Sequence, residues 1–497
     1  MAELAGTDAR VLAIDQGTTG TRAIVYDRRG REVASAYEEF PQLFPRPGWV
    51  EHDPGAIWRS VDRTIQAVLG RSGAPIDAVG ITNQRETTVV WDRRTGRPVS
   101  NAIVWQCRRT AGRCRELRKD RGIVSLIRRR TGLPVDPYFS ATKLEWILDR
   151  GGLRARARDG RLAFGTTDAW VLWKLTGGRS HATDPTNASR TMLFDIGRRR
   201  WDPDLLALFG VPEAILPEVR PSAAEFGRTE RLRRLPAGIP ITGVAGDQQA
   251  ALFGQACFEP GSLKNTYGTG AFILLNTGRR RVASRHGLIT TLACGPAAEA
   301  VFALEGSIFV AGAAVQWLRD QLGLLGASGE SQAMAEAVRD NAGVYFVPAF
   351  VGLGAPYWDA EARGTIVGLT RGADRRHLVR AALEAMAYAT RDVLEVMERE
   401  SGLPIRELRV DGGAAANDFL CRFQAGLLGL PVVRPRTVET TALGAAYLAG
   451  LGAGVWSGTD EIRRFWARDR QFRPAMARSR AERLYDGWTA AVRKARA

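Results

Sequence analysis

The chain has 497 residues, 45% of them hydrophobic and 25% charged, with a formal net charge of +17. That length exceeds one comfortable hydrophobic core, so two large domains are expected, and the composition is that of a soluble globular protein. The positive excess is mostly arginine, scattered or in short runs such as Arg128-Arg129-Arg130, Arg198-Arg199-Arg200 and Arg279-Arg280-Arg281, with no aromatic stripe beside it, so no nucleic-acid partner is expected.

Cys107, Cys114, Cys257, Cys294 and Cys421 are odd in number and include no Cys-x-x-Cys, which speaks against a disulfide framework or a zinc site and for a reducing compartment. The start, Met-Ala-Glu-Leu-Ala-Gly-Thr-Asp-Ala-Arg, lacks the basic-then-apolar pattern of a leader, and the longest apolar stretches, such as Ile308 to Val315, are too short to span a bilayer. A cytoplasmic location with no membrane span follows as the expectation.

Val11 to Ile14 reads as a buried strand, and Arg22 to Tyr26 as a second strand after a Gly/Thr turn. Asp53 can cap a helix with Pro54 in its first position, and Ile57, Trp58, Val61, Ile65, Val68 and Leu69 then recur at helical spacing. Ala78 to Ile81 is a further apolar strand, followed by the adjacent charges Arg85 and Glu86. Open α/β sheets hold ligands just past such strand ends, and a paired donor and acceptor suits a neutral polyol; an ordinary surface ion pair is the alternative reading. Ile239 to Val244 is a strand running into Gly246-Asp247-Gln248. Asp247 at that junction either accepts a hydroxyl proton or caps the Ala-rich helix that follows. A long helix is expected from about Arg376 to Glu398, with Leu378, Ala382, Leu383, Met386, Val393, Leu394 and Met397 on one face. Leu408 to Val410 leads into Asp411-Gly412-Gly413, and another helix begins near Asn417. Thr441 to Ala446 is a small-residue helix, suited to a hinge or equally to core packing.

One pattern occurs twice. Apolar run, Gly/Thr turn and apolar run make up Val11 to Asp27, around Gly17-Thr18-Thr19-Gly20, and again Ser262 to Asn276, around Gly268-Thr269-Gly270. Such turns let backbone N–H groups approach an anion, although a plain hairpin is the other reading of each. The P-loop pattern Gly-x-x-x-x-Gly-Lys-Ser/Thr is absent from both. The duplication implies two related α/β domains, divided near Leu252 to Gly261, as 1–254 and 255–497.

These segments resemble the FGGY family of carbohydrate kinases, and within it the members that act on glycerol, from about Val11 to about Gly487. The most specific stretches are Gly48 to Pro54, Gly80 to Trp91, Asn101 to Thr110, Asp184 to Phe194, Gly246 to Gly254, Asn265 to Gly270, Pro348 to Asp359 and Arg409 to Gly413. The resemblance implies the two-domain actin/hexokinase/Hsp70-like fold, ribonuclease H-like in each half, with a nucleotide cleft between the domains. It implies transfer of the ATP γ-phosphoryl group to glycerol with Mg²⁺, with Asp247 as general base. Arg85, Glu86, Tyr138, Asp247 and Gln248 match positions that hydrogen-bond the polyol, and Trp105 and Phe272 match its apolar walls. Thr18, Thr19, Gly20 and Arg22 match the first phosphate turn and Thr269 the second. Gly312, Gln316, Gly413 and Asn417 match nucleotide positions, and Asp15 matches the carboxylate that organises the metal. A homo-oligomer, dimer or tetramer, is also expected.

The chain departs from the family pattern in places. Gly20 stands where many relatives have Ser, with little loss expected. Arg150 stands where an uncharged or imidazole side chain is usual. Arg228 to Ile239 lacks the short Gly-rich loop used for fructose 1,6-bisphosphate, so that control is not expected, and neither is activation through a phosphorylated His, since the only histidines are His52, His181, His286 and His377. Three alternatives compete: a kinase of the same family for another polyol or a ketopentose, an ATP-gated chaperone or filament protein, and a basic nucleic-acid binder.

Overall fold

The computed structural model describes residues 9–73, 75–295 and 299–497; the amino-terminal stretch read above for a leader lies almost wholly outside them. The chain forms two compact units. One holds the chain up to Ala256 together with Thr290–Phe302 and Thr440–Phe465, and the other holds Cys257–Ile289, Ala303–Glu439 and Trp466–Ala497. Neither unit is one continuous stretch.

In the first unit, β1 (Arg10–Gln16), β2 (Gly20–Asp27) and β3 (Glu32–Glu39) form an antiparallel meander. Asp53 caps α1 (Pro54–Ser72), its carboxylate accepting from Gly55 N, and Gly73 ends the helix at φ 62°. Ile57, Val61, Ile65 and Val68 are its buried stripe, as the spacing predicts. Next come β4 (Ala78–Asn83), β5 (Pro240–Gly246) and α2 (Asp247–Gly254). Strand β4 lies parallel between β1 and β5. Residues 11 to 14 are fully buried, because helices cover both faces of the parallel part of the sheet.

Side chains alternate faces along β4. Val79 and Ile81 join the core that includes α1, while Gly80 between them turns to the other face. There the helix Thr440–Gly452 lies so close that a Cβ on Gly80 would stand 2.2 Å from the carbonyl oxygen of Ala445. A Cβ on Gly444 would stand 1.8 Å from that of Ala250 in α2. Of the two readings of Thr441 to Ala446, close packing in the core of the first unit is the observed arrangement.

The second unit repeats the hairpin as β6 (Leu263–Tyr267) and β7 (Ala271–Gly278), antiparallel to each other. Helix α3 (Gly312–Asp320) follows, then the long α4 (Arg375–Ser401), whose Asp374 and His377 form a reciprocal capping box. Strand β8 (Leu408–Gly412) lies parallel to β6, with Tyr267 beside Gly412. Helix α5 (Asp418–Leu428) is capped by Asn417. In both hairpins the first turn glycine donates back across the turn, Gly17 N to Gly20 O at 2.9 Å and Gly268 N to Gly270 O at 2.8 Å. In both, a parallel strand flanks the first strand, β4 beside β1 and β8 beside β6. All five cysteines are buried free thiols. Among the described residues, no helix is long and apolar enough to cross a membrane.

Candidate active site

Register brings the site of the first unit together. Across the parallel strands, Gln16 of β1, Asn83 of β4 and Gly246 of β5 lie in one row, so Asp15, Arg85, Glu86 and Asp247 all belong to the carboxyl edge of the sheet. Asp247 opens α2 but does not cap it; the cap position is Gly246, which has no side chain to offer. The Asp247 carboxylate instead accepts from Arg85 Nε at 3.0 Å and from the backbone N–H of Gln248 at 2.7 Å. Arg85 is thus not a surface ion pair. Its side chain is 2% exposed, whereas that of Asp247 is 29% exposed.

The stem of Arg85 lies over Gly246, where a Cβ would stand 2.8 Å from its Cγ and Cδ. Its Nη1 donates to Gln249 Oε1 at 3.2 Å, and Gln249 in turn donates to Thr291 Oγ1 and Leu292 O. Gln248 is buried beside this pair.

Glu86 takes a left-handed backbone at φ 61°, unusual outside glycine, and is buried. Its Oε1 accepts from Arg190 Nε at 2.6 Å. Its carbonyl oxygen accepts from Ser140 Oγ at 3.0 Å and Lys143 Nζ at 3.4 Å. Lys143 also donates to Tyr138 O at 2.7 Å, and burial pushes its pKa down to about 8. The Tyr138 ring meets that of Trp105 edge to face at 5.6 Å. Trp105 Nε1 donates to Thr18 Oγ1 at 2.9 Å, joining this cluster to the first Gly/Thr turn.

Asp15 on β1 pairs in register with Arg22 on β2, whose guanidinium lies 5.3 Å from the centre of the Tyr37 ring. Tyr37 also reaches the turn, with its hydroxyl 3.4 Å from Thr19 Oγ1. A Cβ on Gly20 would stand 2.6 Å from Glu38 O and 2.7 Å from the Tyr37 ring, so glycine at this position makes room for Tyr37. Arg150, the other departure, lies 3.3 Å from the centre of the Trp146 ring.

The second unit gathers its own set. Gly312 N and Ala313 N, at the start of α3, donate to the carbonyls of Gly268 and Thr269 at 3.1 Å each, fastening that helix to the second turn. Gln316 is exposed on α3. Gly413 follows β8 on the same sheet edge, and Asn417 both caps α5 and donates to Ser331 Oγ at 3.2 Å. Phe272 sits on β7 opposite Thr266. Gly413 has open space where a side chain would be, and Gly268 has only Gly270 O at 3.8 Å.

Several supporting residues carry no signal in the motifs. Asp184, fully buried with its pKa raised by that burial, accepts from Ser222, Thr186 and Asn187; Thr186 Oγ1 then takes the N–H of Gly246 at 2.8 Å, setting the start of α2. Arg190, Lys143 and Gln249 are equally silent. Their sequence clue is that Asp184, Thr186 and Arg190 fall in the segment Asp184 to Phe194 and Gln249 in Gly246 to Gly254, both distinctive but with no role assigned to these residues.

Two α/β units with repeated hairpins, each placing polar residues at the carboxyl edge of its parallel strands, are the architecture of a two-domain carbohydrate kinase. Residues 10–254 match the N-terminal domain of the FGGY family of carbohydrate kinases, and residues 263–453 match its C-terminal domain. The chain belongs to that family. It is similar to the glycerol kinase of Symbiobacterium thermophilum, 58% identical over 98% of each chain, and to that of Xanthomonas axonopodis pv. citri, 57% identical over 97% of each. Among solved structures it superposes on Plasmodium falciparum glycerol kinase with ADP at a TM-score of 0.90, with 35% identity and 98% of each chain covered. It shares the fold of xylulose kinase from Lactobacillus acidophilus at a TM-score of 0.86, with 21% identity over 98% of this chain and 97% of that one.

Proposed function

We propose that this chain transfers the γ-phosphoryl group of ATP to a primary hydroxyl of glycerol, giving sn-glycerol 3-phosphate and ADP. The observation that carries the reading is the Asp247 carboxylate, partly exposed at a strand end and oriented by the buried Arg85, with Glu86 next to Arg85 in the chain and the Tyr138 ring packed against Trp105. Relatives at 57–58% identity over nearly their whole length, named glycerol kinases, support the choice of polyol.

Asp247 accepts the hydroxyl proton as the bond to phosphorus forms. Arg85, Glu86 and Gln248 supply both donors and acceptors to the hydroxyls of a triol, while Trp105 covers its carbon edge. The backbone N–H groups around Thr18, Thr19, Gly20 and Thr269, with Arg22, hold phosphate oxygens. Gly312, Gln316, Gly413 and Asn417 form the nucleoside side, where the open space over Gly413 leaves room for a flat group. Positioning and charge neutralisation supply most of the catalysis of such a transfer. In this reading 1–254 carries the polyol and first phosphate sites, and 255–497 the second phosphate and adenosine sites.

The reaction proposed here uses Mg²⁺, with Asp15 at the carboxyl end of β1 as the residue that would hold it. No group of three or more His, Cys, Asp or Glu converges among the described residues, and Mg²⁺ is commonly held by one or two carboxylates, water and phosphate oxygens, a role open to Asp15. When bound, the metal neutralises charge on the phosphate oxygens. A cytoplasmic homo-oligomer, dimer or tetramer, completes the reading.

A coupled ADP-release assay over glycerol, dihydroxyacetone, erythritol and xylulose with Mg-ATP tests it. Glycerol is expected to give the highest kcat/KM; a clear preference for xylulose would overturn the choice of substrate.

A further inference from the structure

Two of the residues assigned above to the polyol, Glu86 and Tyr138, share one neighbour. Arg190 has a fully buried side chain, and it touches both. Its Nε donates to Glu86 Oε1 at 2.6 Å, and its guanidinium carbon lies 5.4 Å from the centres of the Tyr138 and Phe139 rings. Glu86 is itself 1% exposed. A carboxyl so deeply buried stays ionised only beside a cation, because burial disfavours the charged form. Lys143 Nζ stands behind the same residue and adds to the positive field on it, but its hydrogen bonds go to the carbonyl oxygens of Glu86 and Tyr138.

We infer that Arg190 is the positioning residue of the polyol site: it holds the Glu86 carboxylate ionised and aimed, so that Glu86 offers acceptors to the substrate hydroxyls. The inference rests on the proposed reaction and deepens it. Arg190 acts through Glu86 and Tyr138. Its flat guanidinium can pair with a carboxylate while lying against aromatic rings, which a lysine ammonium does less well. Without it, Glu86 either takes a proton, exchanging an acceptor for a donor, or turns away. Either change weakens polyol recognition and leaves the nucleotide residues of the second unit untouched.

The test compares the wild-type enzyme with Arg190→Met, Arg190→Lys, Glu86→Gln and the double variant Glu86→Gln/Arg190→Met, measuring kcat and KM for glycerol and for ATP from pH 6 to 9. Arg190→Met is expected to raise the KM for glycerol about ten- to a hundredfold, with the KM for ATP within about twofold, in line with loss of a hydrogen bond between charged groups. The pH profile of its kcat/KM for glycerol should differ from that of the wild type, and Glu86→Gln/Arg190→Met, which has no carboxyl at this place, should lack that difference. Arg190→Lys should recover part of the loss. In the Glu86→Gln background, removing Arg190 should cost far less than in the wild type, because its partner is already neutral. Equal costs in the two backgrounds, or parallel rises in both KM values, would overturn the inference. If Arg190→Met does not fold, the comparison of Arg190→Lys with Glu86→Gln/Arg190→Lys carries the same test. A wild-type enzyme inactive on glycerol would instead overturn the proposed function, which keeps the two failures distinct.

Discussion

The indole Nε1 of Trp105 donates a hydrogen bond to Oγ1 of Thr18 at 2.9 Å. Trp105 is assigned to the apolar wall of the polyol site and Thr18 to the first phosphate turn, so one bond ties the two subsites of the first unit. Trp105→Phe keeps an aromatic wall and removes the donor. It is expected to lower kcat/KM for both glycerol and ATP about three- to tenfold, the worth of one neutral hydrogen bond. Steady-state kinetics with each substrate varied in turn checks this. An effect confined to glycerol would show that the bond does not couple the subsites.

Asp247 accepts from Arg85 Nε and from Gln248 N, so an amide in its place keeps the shape but loses the base and the ion pair. Asp247→Asn should reduce kcat roughly a hundred- to ten-thousandfold, the range for removing general-base catalysis. Nucleotide affinity, measured by calorimetry, should stay within about twofold. Normal turnover would remove Asp247 from the role of base.

Gly246 is required by its neighbour and not by its own backbone. A Cβ there would stand 2.8 Å from the Arg85 stem, 3.1 Å from Gln249 Oε1 and in the path of both. Gly246→Ala should raise the KM for glycerol by about an order of magnitude and cost about 1–3 kcal/mol of stability, typical of overpacking. Kinetics and urea unfolding of the same preparation measure the two effects.

His52 is fully buried, hydrogen-bonded through Nε2 to Gln42 Oε1 at 2.6 Å, and burial pushes its pKa down from 6.5 to about 4. The sign follows directly. Above pH 6.5 the ring is neutral in both folded and unfolded chains. Below it the unfolded chain takes a proton that the folded one refuses until about pH 4, so stability falls with pH through that window. The slope is about 1.4 kcal/mol per pH unit. Asp168, raised from 3.8 to about 6 by burial, works in the opposite direction as its folded form takes a proton first. The difference in unfolding free energy between wild type and His52→Gln isolates the histidine. It should change by about 3 kcal/mol between pH 7 and pH 4, and a difference independent of pH would remove His52 from the acid limb.

Much of the fold is legible locally. The run Val11 to Ile14, the Asp53-Pro54 cap and the two Gly/Thr turns each declare their structure within a few residues, because strand burial, capping and turn geometry are short-range effects. The duplicated hairpin could be read for the same reason, since it is one local pattern occurring twice. The general plan of the site was legible too: charged residues beyond apolar strands lie on the ligand edge of a parallel sheet, and Arg85, Glu86 and Asp247 are found there.

Other features depended on which distant segments meet. Arg85 and Glu86 looked like partners and instead diverge, Arg85 to Asp247 and Glu86 to Arg190, a residue 104 positions further along the chain. Asp247 taken alone read as a helix cap, and the start of α2 gives that position to Gly246 instead. Gly80 gave no sign of the helix backbone pressed against it, and Gln249 none of its bonds to Thr291 and Leu292. The sequence by itself determined the elements, their turns and the chemical character of the edge. Only the tertiary structure decided which buried charge answers which, because ion pairs and close backbone contacts are set by three-dimensional proximity, which spacing along one chain does not encode.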